Sequence, residues 1–179
     1  MDAFESLVRL LMEKDGYWTV QSHKVNVTKE EKRAIGKPSI PRPEVDLLAL
    51  DLRLNRLIAL EVKSYLDSPG VDLALLREQH SVPEGRYKLF TCANYRSIVL
   101  ARLLGDLRRR GLVNNETELQ LGLAAGNVKG RRTADLKSYF SSQGWYFLGP
   151  DEIKSKLRAL SEADYENDPF VISAKLALR

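Results

Sequence analysis

Apolar positions recur along this chain with two periods, and the change from one to the other marks its elements. Over residues 3–14, Phe4, Leu7, Val8 and Leu11 follow the i, i+3, i+4, i+7 spacing of a helix with one buried face. Gly16 ends that pattern, and residues 17–27 alternate, which predicts a strand. Residues 28–43 hold Gly36 and three prolines and read as a loop. Two apolar strands follow at about 44–52 and 56–65, joined by a tight turn. The pattern then predicts a short helix at 71–80, a buried strand at 87–94, a long amphipathic helix at 95–112 and a strand at 118–128. A helix at 131–144, a short strand at 145–149 and a helix at 150–164 with Pro150 at its start complete the series. The tail after Pro169 carries no clear period. Three consecutive strands imply an antiparallel meander. The later alternation of helix and strand implies crossovers that add strands to the same sheet. The expected fold is α/β, with one central mixed β-sheet flanked by helices on both faces, in a single domain spanning 1–179.

Composition narrows the class. The 179 residues are enough for one real core. With 44% hydrophobic and 29% charged residues the chain is globular. No apolar run reaches the ~18 residues needed to span a bilayer. The first residues carry Asp2 and Glu5 and no basic segment, which argues against a secretory signal. Cys92 is the only cysteine, so no disulfide framework or thiolate zinc cluster can form within the chain. A reducing, cytoplasmic setting is expected, with no membrane partner and no organic cofactor.

The apolar strand pair keeps three charges. Glu61 and Lys63 are two apart and share a face, while Ile58, Leu60 and Val62 point the other way. Asp46 shares a face with Leu48 and Leu50. A turn centred on Leu54 and Asn55 pairs Asp46 with Lys63 and Leu48 with Glu61. A shift of that centre by one residue still keeps the three charges together, whereas an odd-length loop separates them. Two neighbouring carboxylates repel, and a divalent cation relieves that repulsion. Magnesium takes oxygen ligands, usually one or two carboxylates completed by water and substrate phosphate. A lysine beside it can orient or deprotonate water, or neutralise charge developing on phosphate. This set suits metal-assisted phosphodiester hydrolysis. No Gly-x-Ser-x-Gly elbow, HExxH helix or P-loop is present to suggest another chemistry. Alone, Glu-x-Lys on a strand reads as a surface ion pair. An acid on the adjacent strand, the turn register and a basic segment upstream move the reading toward a site. That segment, 21–43, sets Lys24, Lys29, Lys32, Arg33, Lys37 and Arg42 against only Glu30 and Glu31.

With Asp46 followed fifteen residues later by Glu61-Val62-Lys63, the chain resembles the PD-(D/E)xK nuclease superfamily. The order helix, three antiparallel strands, helix, strand over residues 3–94 is similar to its restriction-endonuclease-like αβββαβ core, here with C-terminal α/β additions. Pro43 stands three positions before Asp46 rather than beside it, which makes Glu44 a rival acid; Asp46 is preferred because it lies within the apolar run. The resemblance implies a magnesium-dependent endonuclease acting on DNA, of restriction, repair or junction-resolving type, with manganese able to substitute. It implies catalytic roles for Asp46, Glu61, Lys63 and Glu5, the last resembling a glutamate many members carry on the first helix. It further implies that Asp46, Glu61, Glu5 and the carbonyl of Val62 hold the metal and that Lys63 positions the attacking water. Phosphate contacts are expected from Lys24, Lys29, Lys32, Arg33 and Lys37, and from Lys129, Arg131 and Arg132 before the helix at 131–144. The helix at 95–112 offers a face for a homodimer, which cutting two strands would require. Arg108, Arg109 and Arg110 end that helix, where cations are favoured anyway, and are not taken as a DNA site. His23 and His80 are isolated. Tyr95, Tyr139, Trp145 and Tyr146 are expected in the core or at its edge. A catalytically inactive nucleic-acid-binding protein on the same fold is the alternative, and an unrelated α/β domain with a surface ion pair is a third.

Overall fold

A computed structural model of the chain describes residues 2–178. The first helix, α1 (Ala3–Lys14), starts where Asp2 accepts hydrogen bonds from the amides of Phe4 and Glu5 through Oδ1. Gly16, at φ +91°, turns the chain into β1 (Trp18–Lys24). Strands β2 (Glu44–Asp51) and β3 (Arg56–Lys63) complete an antiparallel meander. Strands β4 (Glu118–Ala125) and β5 (Tyr146–Leu148) then run parallel to β3, giving the order β1-β2-β3-β4-β5. The α/β class and the mixed sheet are therefore as the alternation predicts.

Alternation within the strands sorts two cores. On one face Leu48, Leu50, Leu57, Ala59, Leu121 and Leu123 pack under α5 (Ala93–Arg109), through Tyr95, Val99, Leu103 and Leu107. On the other, Leu47, Ala49, Ile58, Leu60, Val62 and Ala124 meet Val8, Leu11 and Met12 of α1. The same face takes α7 (Pro150–Glu162) and α8 (Pro169–Leu178). Each fully buried aliphatic side chain contributes about 1.5–3 kcal/mol. Tyr95 is in this core, and Tyr139 and Trp145 pack edge to face with Phe140 and Phe90 beside α6 (Thr133–Ser142). Tyr146 sits at the edge of the other core. Among the described residues no helix is long and apolar enough to cross a membrane.

Three expectations are corrected. The predicted strand at 87–94 is a helical turn, α4 (Lys88–Thr91), running into α5. The amides of Phe90 and Thr91 donate to the carbonyl of Tyr87 at 2.7 and 2.9 Å. An apolar run this short does not distinguish strand from helix, and the edge of β3 is taken over eight residues by β4. The expected order helix, three strands, helix, strand therefore does not close within residues 3–94; the next strand after β3 is β4, reached through α5. The helix expected at 71–80 is a single turn, α3 (Leu73–Leu76). The expected loop at 28–43 contains α2 (Lys29–Ala34). Thr28 and Glu31 cap it reciprocally: Thr28 Oγ1 accepts from the Glu31 amide at 3.2 Å, and Glu31 accepts from the Thr28 amide at 2.6 Å. Glu31 also binds Arg102 of α5 at 2.8 Å. Thr28→Ala is therefore expected to cost about 1 kcal/mol in urea denaturation, by loosening α2 from α5.

Candidate active site

The site forms where β2 and β3 part. Asp51 closes the turn between them by accepting the amides of Arg53 and Leu54 through Oδ1 at 2.9 and 3.1 Å. Asn55 takes a left-handed φ of 51°. The ladder runs from Asp51↔Arg56 to Leu47↔Leu60, so the turn is one residue earlier than expected and holds four residues. Its length is even, and the parity survives. Continued outward, this register sets Asp46 against Glu61 rather than Lys63. Hydrogen-bonded pairing stops there, and the Asp46 side chain takes over: Oδ2 accepts from the Val62 amide at 2.7 Å. An aspartate thus bridges to a β3 amide at the point where the strands separate.

Lys63 closes the cluster. Its Nζ donates to Asp46 Oδ2 and to Glu61 Oε2, each at 3.2 Å. The side chains of Asp46, Glu61 and Lys63 are 18%, 13% and 19% exposed, so they are sheltered but reachable. Burial pushes the Glu61 carboxyl above its usual range; Lys63 pulls it back and the nearby Asp46 raises it again. Burial alone would lower Lys63, but the two carboxylates outweigh it and hold the ammonium above its ordinary pKa. The cluster carries one negative charge in excess. The second oxygens of Asp46 and Glu61 receive no hydrogen bond among the described residues. Two partly open carboxylates with one free oxygen each are a fitting donor set for magnesium, which needs only one or two and fills its other positions with water and phosphate.

Glu5 approaches from α1, around the end of the sheet. Its carboxyl is raised first by partial burial and then by Asp46, while Lys63 lowers it. It shares their electrostatic field without closing into a three-carboxylate group: among the described residues no three His, Cys, Asp or Glu side chains converge in that way. Glu44, the rival acid, is exposed and pairs with Lys24 at 3.8 Å. Two further groups are coupled electrostatically to Glu61. Lys88 of α4 lowers Glu61, and the buried Tyr95 of α5 is raised first by burial and next by Glu61. Lys88 lies 5.8 Å over the Tyr95 ring. Reading 87–94 as a strand hides Lys88, because its reach depends on the helical turn.

The basic residues lie in two segments, one around α2 and one before α6. Lys29, Lys32 and Arg33 ride on α2, whose end is tied to the start of α5 by Asn94 Nδ2 donating to the Ala34 carbonyl at 2.8 Å. Lys37 is exposed and donates to the Pro83 carbonyl at 3.3 Å. In the second set Lys129 pairs with Asp72 at 2.7 Å and Arg132 with Asp135 at 2.7 Å. Arg131 is exposed at a left-handed φ of 57°. These residues lead into α6, whose N-terminus has no side-chain cap. Arg108 binds carbonyls of the 114–117 turn, in keeping with a structural role. His23 and His80 stay apart, and His80 faces Glu78 at 3.1 Å.

Gly126 holds the end of β3 at Lys63. Its amide donates to the Lys63 carbonyl at 2.9 Å. A Cβ there would lie 2.4 Å from the Ser64 carbonyl oxygen, a backbone atom with little room to move. Gly126→Ala is expected to cost about 1–3 kcal/mol in chemical denaturation and to displace Lys63 from its carboxylates.

The chain matches no protein-family model, no curated protein and no solved structure.

Proposed function

We propose that this protein is a magnesium-dependent nuclease that hydrolyses DNA phosphodiester bonds as an endonuclease. The observation that carries the reading is Asp46 Oδ2, which accepts both the Val62 amide and the Lys63 ammonium while that ammonium also reaches Glu61. A plain surface ion pair needs only one carboxylate and no strand separation. The order helix, three antiparallel strands, crossover helix, parallel strand supports the resemblance to PD-(D/E)xK nucleases over α1 to β4.

In this reading Asp46 and Glu61, with the Val62 carbonyl and Glu5 at the edge, would hold magnesium or manganese. The bound cation would supply Lewis-acid polarisation of the phosphoryl group and a water of lowered pKa. Lys63, fixed between two carboxylates, orients the attacking water and offsets charge on the phosphate. Lys88 adds a second cation on the same face. Lys24, Lys29, Lys32, Arg33, Lys37, Lys129, Arg131 and Arg132 hold the DNA backbone, which makes binding salt-dependent. A cytoplasmic setting and a homodimer for two-strand cutting belong to the same proposal.

Calorimetric titration with manganese tests the metal centre. The wild type is expected to bind it and Asp46→Asn to bind it at least tenfold more weakly. If neither binds, the protein is better read as a nucleic-acid-binding domain without catalysis.

A further inference from the structure

Beside the cluster lies a cavity of about 470 Å³, within the ~300–1,000 Å³ usual for small-molecule sites. It shares two pieces of chain with the site. Tyr65 lines it two residues after Lys63, and Tyr87 lines it next to Lys88. Leu75 of α3 forms an apolar side, and Thr91 and Ser68 bring hydroxyls.

Two features mark this wall, one of them at Tyr65, which also packs in part against the core. Tyr65 holds a left-handed φ of 45°, an unusual conformation for an aromatic residue. Tyr65 lines the cavity, and the Arg86 guanidinium lies 5.8 Å over its ring. Among the described residues Arg86 and Glu84 form no ion pair, although both line the cavity. Of the other polar groups there, Lys129 pairs with Asp72, and His80 Nε2 lies 3.1 Å from Glu78. An aromatic ring overlaid by a guanidinium, and a carboxylate that has no ion-pair partner among the described residues, beside an apolar hollow suit one kind of ligand. A nucleobase stacks against the ring–guanidinium pair, its phosphate meets the edge of the cation, and an exocyclic amino group donates to the carboxylate.

We infer that this cavity receives one unstacked nucleotide of the substrate strand, preferring bases that carry an amino group, and so directs the enzyme to DNA with unpaired bases near the cut. This rests on the nuclease reading for its consequence, though not for the binding itself. A fully paired duplex leaves the cavity empty, because its bases stay stacked.

The test has two arms. In the first, deoxyadenosine and deoxythymidine monophosphates are titrated calorimetrically without metal into wild type, Tyr65→Phe, Tyr65→Ala and Leu75→Trp. The adenine nucleotide is expected to bind more tightly than the thymine nucleotide. Tyr65→Phe keeps the ring and is expected to retain binding. Tyr65→Ala removes the platform and Leu75→Trp fills the cavity, and each is expected to weaken binding roughly tenfold or more. In the second arm, a duplex with one unpaired adenine is compared with the same duplex carrying an abasic residue there. The unpaired adenine is expected to bind at least tenfold more tightly. Equal binding of the two duplexes, or nucleotide affinity unmoved by both cavity variants, overturns the inference. Binding of the free nucleotide with no difference between the duplexes overturns it too, in favour of a free mononucleotide as ligand. If both arms succeed but no DNA is cleaved with any metal, the nuclease reading fails and the nucleotide site stands.

Discussion

Lys63→Met is expected to slow DNA cleavage by about a hundred- to ten-thousand-fold under single-turnover conditions, with manganese affinity retained or improved. The reason is geometric. The ammonium stands 3.2 Å from both carboxylates, so it organises the site without being a ligand. Its loss should also be visible without substrate. Asp46 and Glu61 would face each other with no compensating cation, each less than a fifth exposed. Removing the cation paired with both carboxylates leaves buried charge uncompensated, at a cost of about 3–5 kcal/mol, so the metal-free variant should unfold at lower urea. Manganese should restore much of the difference, since it binds only the folded state. Unchanged cleavage would remove Lys63 from the mechanism. Unchanged stability would mean that the carboxylates do not share its charge.

Glu61→Gln should have the opposite effect on the metal-free protein. The Glu61 carboxyl is raised from its ordinary value of 4.5 by burial, with Asp46 adding to the rise and Lys63 opposing it. A carboxyl raised on folding adds stability below its unfolded pKa, and that contribution is lost as pH climbs through the folded value. The wild type should therefore match the variant near pH 4 and fall behind it near pH 8. The expected gain from the glutamine is about 0.5–2 kcal/mol, the usual size of a single stabilising substitution. Lys63 keeps its contact with Asp46, so the fold is not put at risk. Saturating manganese should reverse the order at neutral pH, since wild type alone keeps both carboxylates. Metal-dependent cleavage should be lost with the glutamine. Denaturation curves at the two pH values, with and without manganese, measure all of this. A variant less stable than wild type near pH 8 would mean that the attraction to Lys63 exceeds the cost of burying Glu61.

The sheet was legible because its signals are periodic. Leu48, Leu50, Leu57 and Ala59 alternate with Leu47, Ala49, Ile58 and Leu60, and each set packs on its own face. That alternation alone placed Glu61 with Lys63. Bringing in Asp46 required only that the turn be even, so an error of one residue in its centre left the cluster intact. Less survived where the pattern is short. The apolar residues of 87–94 suit a strand or a helix equally, and the decision lay in a distant fact, the occupation of the β3 edge by β4. Lys88 was lost with it. Thr28 and Glu31 did carry a local signal, the Thr-x-x-Glu of a capping box, which the prolines at 38, 41 and 43 overshadowed. Nothing local announced that Asp46 would bond the Val62 amide. That contact depends on where two strands diverge.

The most direct measurement is cleavage itself. Wild type and Asp46→Asn are incubated with supercoiled, linear, single-stranded and branched DNA, and with RNA, in magnesium, manganese or chelator. The account predicts metal-dependent cuts within DNA by the wild type, none with chelator, and a loss of at least a hundredfold in Asp46→Asn. Cleavage by Asp46→Asn at the wild-type rate, or no cleavage of any substrate by the wild type with either metal, would contradict it.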